Sequence, residues 1–292
     1  MGRRRERFRE VLEGARAHRG VALMGICNVT PDSFSDGGRY FSPEDARGRV
    51  RELLGEGADF IDVGGESTRP GSTAVSAAEQ LVRVLETVRF AVEAGACVSI
   101  DTASPEVAAA CLDAGACAVN DVSCLRDEAL ASACASHGAA LVLMHSRESM
   151  TERRIREFSA YPDDGYGDVV KDVVAEWTAA AARAVARGVP RDALVMDPGL
   201  GFAKNARQST ALLAATGTIA AAVGVPVCVG ASRKSFLAAA DRDAKPAERI
   251  GASIAAALFA ARHGAAILRV HDVRATRQAI DLERALAEGG AR

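Results

Sequence analysis

The feature that most constrains the fold of this chain is a repeated alternation of short apolar runs with longer Ala-rich segments of helical spacing. Each run ends in a Gly or a polar residue. Runs that are apolar throughout are typical of strands buried on both faces, and such strands imply a parallel sheet. About eight such runs occur, namely VALMGICN from Val21, ADFIDVGG from Ala58, ACVSIDT from Ala96, ACAVND from Ala116, AALVLMH from Ala139, ALVMDPG from Ala193, VPVCVGAS from Val225 and AAILRVHD from Ala265.

Strand–helix repeats of this number, within about 250 residues, are typical of a (β/α)8 barrel. We therefore expect the α/β class, with a single TIM barrel over residues 21–290 and long loops after strands one, two and five. A short N-terminal helical extension over residues 1–20 is basic and lacks an apolar centre, so it predicts a solvated helix and not a secretory signal. A doubly wound open sheet is the alternative architecture, because periodicity alone does not exclude it.

The composition argues against some classes of binding partner and predicts the cellular compartment. The net charge of −2 and the aromatic content of 4% argue against nucleic acid and against an anionic membrane surface. No apolar run has the length of a membrane span, so we expect a cytoplasmic protein. The seven cysteines form no C-x-x-C pair and mostly lie among apolar residues, which predicts free buried thiols in a reducing compartment. Metal-binding and nucleophilic roles are the alternatives.

Polar and charged side chains follow nearly every predicted strand. In a (β/α)8 barrel the carboxyl ends of the strands meet at one face, where the active site lies. Two carboxylates and an amide near the barrel axis suit a flat heterocycle with several N–H donors, and a lysine could balance their charge. The strand ends carry, in chain order, Asn28, Thr68 with Arg69 and Pro70, Asp101 with Thr102, Asn120 with Asp121, Met144 with His145 and Arg147, Asp197 with Phe202 and Lys204, Ser232 with Arg233 and Lys234, and Arg269 with His271 and Asp272.

The last strand points to an anion site. Arg269 and His271 are two residues apart, so on a strand they point to the same side, and with Arg233 they suit a phosphate. The amide oxygen of Asn28 could join such phosphates in holding Mg²⁺. Each residue alone has a structural alternative, since a strand-end Asp is often a helix cap and His271 could simply be packed. His145 is interpreted as a structural hydrogen-bonding histidine, because no second His shares a metal-ligand spacing with it.

The strand ends and the loops after them carry, in chain order, the motifs GICNVTPDSFSDGG, DVGGESTRPG, SIDT, NDVS, LMH, DPGLGF, SRKSF and RVHDV. Together these motifs resemble those of dihydropteroate synthases, in the family's order and over nearly the whole chain from Leu23. The resemblance implies a TIM-barrel transferase of folate biosynthesis. Such an enzyme joins 6-hydroxymethyl-7,8-dihydropterin diphosphate to p-aminobenzoate and releases 7,8-dihydropteroate and diphosphate.

The resemblance also implies a role for each matching residue and a homodimer formed through late barrel helices, here around residues 250–261. Mg²⁺ is the implied metal, with Asn28 as its protein ligand, and the small-molecule substrates are the implied partners. The pterin is assigned to Asp101, Asn120, Met144, Asp197 and Lys234, the diphosphate to Asn28, Arg269 and His271, the p-aminobenzoate pocket to Thr68, Arg69, Pro70, Phe202 and Ser232, and a loop lid to Phe34 and Asp36.

The expected reaction, the alternative functions and five differences from the family's motifs complete this comparison. An aryl amine is nucleophilic at neutral pH, so loss of diphosphate is the harder step and a dissociative, SN1-like substitution is expected. A non-catalytic pterin-binding paralogue and a pterin-binding methyltransferase are the alternatives. The motifs that distinguish the synthase from both are present. The chain departs from the common family pattern at Cys124, Ser146, Glu148, Ala203 and Ser209, beside the expected site.

Overall fold

The computed structural model describes residues 2–30, 43–66, 75–147 and 165–289. Within these ranges eight strands alternate with helices along the chain. The strands are β1 Ala22–Asn28, β2 Phe60–Gly64, β3 Cys97–Asp101, β4 Ala118–Asp121, β5 Ala140–Met144, β6 Leu194–Asp197, β7 Cys228–Val229 and β8 Ile267–Val270. The helices are α1 Arg3–Arg19, α2 Pro43–Glu56, α3 Ala77–Glu93, α4 Pro105–Asp113, α5 Ala129–His137, α6 Val169–Ala186, α7 Ala206–Ala214, α8 Thr216–Val223, α9 Ile250–Arg262 and α10 Val273–Gly289.

All of the strand pairs are parallel, and the sheet closes on itself. The strands lie in the order β6-β5-β4-β3-β2-β1-β8-β7. A bridge between Met196 of β6 and Val227, just before β7, joins the two outer strands of that order. An open doubly wound sheet leaves its edge strands apart, so this contact excludes the alternative. The predicted (β/α)8 barrel is confirmed.

Local sequence explains where several helices begin. Ser104 accepts a hydrogen bond from the backbone N–H of Val107, and Pro105 follows as the first helical residue of α4. Helix α2 likewise begins at Pro43. Asn205 and Gln208 form a reciprocal capping box at the start of α7. These caps hold the segments that follow the strands, and those segments carry the candidate site.

The base of the barrel, where the strands begin, is closed by apolar side chains. Phe8, Leu12 and Ala15 of α1 are buried together with interior residues that include Met24 and Phe60. The ring centroids of Phe8 and Phe60 are 4.6 Å apart. The expectation of a solvated first helix is therefore wrong for one face of α1. That face was missed because its few apolar residues lie among ten charged residues, which dominate the average polarity of the helix.

A second apolar layer lies between the outside of the sheet and the helices, and it includes Leu53, Trp177 and Leu212. All seven cysteines are free, and all except the partly exposed Cys124 are buried. This agrees with the prediction of free buried thiols. Among the described helices, none combines the length and the apolar content that a membrane crossing requires.

Candidate active site

Strand register aligns the first set of predicted site residues. Asn28 of β1 pairs with Gly64 of β2, Gly64 pairs with Asp101 of β3, and Asp101 pairs with Asn120 of β4. Lateral neighbours in a parallel sheet point to the same side. A Cβ atom added to Gly64 would lie 3.6 Å from Oδ1 of Asn28 and 3.5 Å from Cβ of Asp101. The absent side chain of Gly64 therefore lets Asn28 and Asp101 approach each other at the mouth of the barrel.

A partly buried ion-pair network holds this half of the mouth together. Arg269 donates from Nε to Oδ2 of Asp62 at 2.6 Å and from Nη2 to Oδ2 of Asp101 at 2.7 Å. Asn120 donates from Nδ2 to the same oxygen of Asp62 at 3.0 Å. Burial acts to lower the pKa of Arg269, but the negative charges of Asp62 and Asp101 outweigh it, so the pKa is raised. Arg269 is thus a permanent cation beside Asp101.

Asp62 is the site residue that sequence reasoning missed. Its side chain is fully buried in the middle of β2, and its Oδ1 atom has no hydrogen-bond partner within the described ranges. A buried acid inside an apolar strand needs a polar or charged partner. The Asp within the apolar run FIDVGG could therefore have predicted a buried polar interaction at this position. Asp62 also lies two residues before Gly64, on the same side of the strand.

The other half of the mouth forms around the end of β6. Asp197 pairs laterally with Met144 of β5, is buried, and accepts at Oδ1 from the backbone N–H of Gly199 at 2.7 Å. Burial raises the pKa of Asp197, although the positive charge of Lys234 opposes the shift. A Cβ atom added to Gly230 would lie 3.8 Å from Oδ2 of Asp197 and 3.8 Å from Cβ of Arg269. The two halves of the mouth therefore meet across Gly230.

Lys234 and Phe202 lie against each other at this end of the barrel. Nζ of Lys234 donates to the carbonyl oxygen of Leu200 and is 4.4 Å from the centroid of the Phe202 ring. Phe202 also packs with Met144 and Val122 in a small buried cluster. The predicted pterin residues, and Phe202 of the predicted p-aminobenzoate pocket, are thus brought to one mouth.

The predicted anion residues are partly separated. His271 has Nδ1 3.1 Å from Oγ of Ser232, and its backbone N–H donates to the same hydroxyl at 3.2 Å. Arg269 instead faces the acids of the barrel interior. Arg233 is bound to the carboxylate of Asp272, with Nε 3.0 Å from Oδ2, so its charge is matched within the protein. The contribution of Arg233 to an anion site stays a prediction, and the pairing acid beside it was not foreseen.

Two departures from the common family pattern occupy an unusual backbone conformation. Cys124 and Ala203 have φ angles of 62° and 51°, in the left-handed region that favours glycine. Asp121 holds the first of these turns, accepting from the backbone N–H groups of Ser123 and Leu125. A third departure, Ser209, is buried and accepts from the backbone N–H of Gly201 at 3.0 Å. The fourth, Ser146, is also buried.

Several predicted residues lie outside the described residues. They are Thr68, Arg69 and Pro70 of the predicted p-aminobenzoate pocket, Phe34 and Asp36 of the predicted lid, and the departure Glu148. Their roles stay predictions, as do the individual ligand contacts assigned to the residues described above.

Comparison with known proteins agrees with this geometry. Residues 24–271 match the family described as pterin binding enzyme. A dihydropteroate synthase of Mycobacterium leprae is 44% identical, over 92% of this chain and 95% of the relative. A solved structure of the Xanthomonas albilineans dihydropteroate synthase with 4-aminobenzoic acid has a TM-score of 0.83 and 39% identity, covering 91% of this chain and 93% of that one.

A dihydropteroate synthase of Thermus thermophilus, solved in complex with 6HMPPP, has a TM-score of 0.76 and 41% identity. The alignment covers 91% of this chain and 94% of that one. The family match and the near-complete coverage both include the strand ends at which Asp101, Asn120, Asp197 and Lys234 lie. This chain belongs to the dihydropteroate synthase family of pterin-binding enzymes.

Proposed function

We propose that this chain joins 6-hydroxymethyl-7,8-dihydropterin diphosphate to p-aminobenzoate and releases 7,8-dihydropteroate and diphosphate. The observation that carries the proposal is the set of Asp101, Asn120, Asp197 and Lys234 around one barrel mouth, with Arg269 hydrogen-bonded to Asp101. Relatives of the same fold have been solved with 4-aminobenzoic acid and with 6HMPPP. A soluble cytoplasmic location fits such a biosynthetic role.

The pterin would lie across the mouth between the two halves of the site. Carboxylates of Asp101 and Asp197 accept hydrogen bonds from ring N–H groups, while the Asn120 amide offers a donor and an acceptor. Lys234 supplies a cation near a ring carbonyl or nitrogen. Met144 and Phe202 add apolar surface beside the flat ring.

Cleavage of the bond between the pterin methylene carbon and the diphosphate oxygen is the step that needs assistance. The electron pair leaves with the diphosphate, and the resulting positive charge is delocalised into the pterin ring. Asp101 and Asp197 would stabilise that cation with their negative charges, and Arg269 and His271 would stabilise the departing anion. The amine nitrogen of p-aminobenzoate then forms the new bond and loses a proton.

Magnesium would have few protein ligands here. In the described ranges, no group of three or more His, Cys, Asp and Glu side chains could hold a metal ion. The amide oxygen of Asn28, a hard donor beside Asp101, still fits Mg²⁺ that takes most of its ligands from diphosphate and water. A bound Mg²⁺ would neutralise charge on the diphosphate.

We also propose a homodimer through the late helices. Ile250 and Phe259 of α9 are 40% and 37% exposed, and Leu282 and Leu286 of the adjacent α10 are 61% and 68% exposed. Leu282 and Leu286 are four residues apart and so lie on one face of α10, and exposed apolar patches are typical of protein–protein contacts. Sedimentation should give twice the chain mass of 30.4 kDa, and a monomer at micromolar concentration would contradict the proposal.

The activity itself is tested by incubating the purified protein with the dihydropterin diphosphate, p-aminobenzoate and Mg²⁺. Dihydropteroate and diphosphate should form in equal amounts. Binding of the pterin without product would show a non-catalytic paralogue instead.

A further inference from the structure

Lys204 is a buried cation for which the proposed chemistry has no use. Its side chain is fully buried, and Nζ has three acceptors, the carbonyl oxygen of Phe202 at 2.9 Å, the carbonyl oxygen of His145 at 3.2 Å and Nδ1 of His145 at 3.0 Å. An ammonium group has three N–H donors, so each donor finds one acceptor. A neutral amine would leave one acceptor without a donor.

The partners of His145 determine how it receives this hydrogen bond. Its Nε2 atom is 2.9 Å from Oε2 of Glu176, a carboxylate that also accepts from Nε of Arg147. Burial, together with the charge of Lys204, lowers the pKa of His145 to about 4, so the ring is neutral at pH 7. A neutral ring beside a carboxylate carries its proton on Nε2, which leaves Nδ1 free to accept from Lys204.

The same interactions hold the loop that follows β6. Gly199 has a φ angle of 66°, and an added Cβ atom would lie 2.0 Å from the carbonyl oxygen of His145 and 3.2 Å from Nζ of Lys204. Lys204 therefore bonds the Phe202 end of the loop to His145 at the end of β5, and Gly199 at the other end of the loop packs closely against the same residue. Within that loop, Leu200 accepts from Lys234 and Phe202 packs beneath the same ammonium group.

We propose that Lys204, held by His145 and Glu176, is a positioning residue that keeps Phe202 and Lys234 in the orientation required by the two substrates. This inference rests on the proposed function, in which Phe202 and Lys234 contact those substrates. Lys204 itself is not a catalytic residue, because its three donors are all used within the protein.

The charge state of Lys204 makes this role measurable. Burial lowers the pKa of Lys204 to about 7, while Asp197 acts to raise it. As pH rises through this value the ammonium loses a proton, one acceptor loses its donor, and the anchor of the loop is weakened. The titratable or charged groups around Lys204 are Asp197 at the end of β6, Lys234 after β7, Cys124 after β4, His145 after β5, Glu176 on α6, and Arg147 and Tyr166 beside them.

The first test is Lys204→Met, which keeps most of the side-chain volume and removes the three donors. We expect kcat/KM to fall by about 10- to 100-fold and KM for p-aminobenzoate to rise, because misplacement of substrate-contacting groups by about 1 Å has this effect. Lys171→Met, at a lysine 84% exposed on α6, is the matched control and should behave as wild type. A folded Lys204→Met enzyme with wild-type kcat/KM would overturn the proposal.

The second test uses Glu176→Gln, because its side chain is 39% exposed and the variant is expected to fold even if Lys204→Met does not. Glu176 acts to raise the pKa of Lys204, so its loss should move the alkaline limb of the kcat/KM profile to lower pH. Glu13→Gln, at an exposed position on α1, is the control. Ionisation of the substrates affects all variants equally and so cannot cause a difference between their profiles. An unchanged kcat/KM profile in Glu176→Gln would therefore contradict the role of Lys204. Inactivity of the wild type would instead contradict the proposed function.

Discussion

The two ends of the barrel are built from the same eight strands but have opposite character. At the base, Phe8 of α1 packs on Phe60 among other apolar side chains. At the mouth, Asp62, Asp101 and Arg269 form a partly buried charged network instead of an apolar layer. Burying charges has a large desolvation cost, which apolar packing avoids. From this difference we infer that the base contributes more than the mouth to the free energy of unfolding, while the mouth provides charged groups that can bind a ligand.

The largest effect should come from the base. Phe8→Ala removes a side chain that is 4% exposed, and we expect the free energy of unfolding to fall by about 3 kcal/mol. Denaturant titration followed by circular dichroism measures this change. Val82→Ala, at an apolar residue 82% exposed on α3, is the control and should change stability by less than about 0.5 kcal/mol.

The kcat of folded Phe8→Ala enzyme should equal that of wild type, because Phe8 lies at the opposite end of the barrel from the site. A large loss of kcat with little loss of stability in Phe8→Ala would contradict the inference that the base serves stability and the mouth serves activity.

At the mouth the expected effect is on turnover. Asp101→Asn removes a negative charge beside Arg269 with little change in shape, and we expect kcat to fall by about 100-fold, equivalent to about 2.7 kcal/mol. Steady-state kinetics with both substrates measures it, with the melting temperature as a check on folding. Asp113→Asn, on the outer surface of α4, is the control. Near-wild-type turnover in Asp101→Asn would contradict the assigned role.

The smallest effect concerns a departure from the family pattern. Ala203→Gly places the residue suited to a φ angle of 51° at that position, and we expect a gain in stability of about 0.5–1 kcal/mol. The same substitution in a helix, Ala109→Gly in α4, should lower stability by about 1 kcal/mol. Equal destabilisation by both changes would show that the left-handed conformation at Ala203 carries no strain.

Much of the architecture could be predicted because it depends on local patterns. Fully apolar runs marked the strands, and Pro105 after a capping serine marked the start of α4. The positions of Asn28, Asp101 and Asn120 at one level of the mouth follow from their places at strand ends. By contrast, the buried face of α1 could not be seen, because a helix that covers a barrel base needs only a few apolar residues.

Charge pairing was the main feature that could not be predicted. Asp62 and Arg269 are separated by 207 positions, and no local pattern connects them. Arg233 was expected near an anion site, and its pairing with Asp272 was not foreseen. Lys204 stood among the polar residues after β6 without a role, because its three acceptors are brought together only by the loop geometry.

The sequence by itself determined the strand–helix alternation, the barrel class and the family, because hydrophobic periodicity and short motifs are properties of neighbouring residues. The tertiary structure alone decided which charges are neutralised within the protein and which face a substrate. It did so because strand register and loop conformation set the distances between groups far apart in the chain. The electrostatic state of a buried group such as Asp197 or Lys204 depends on those distances.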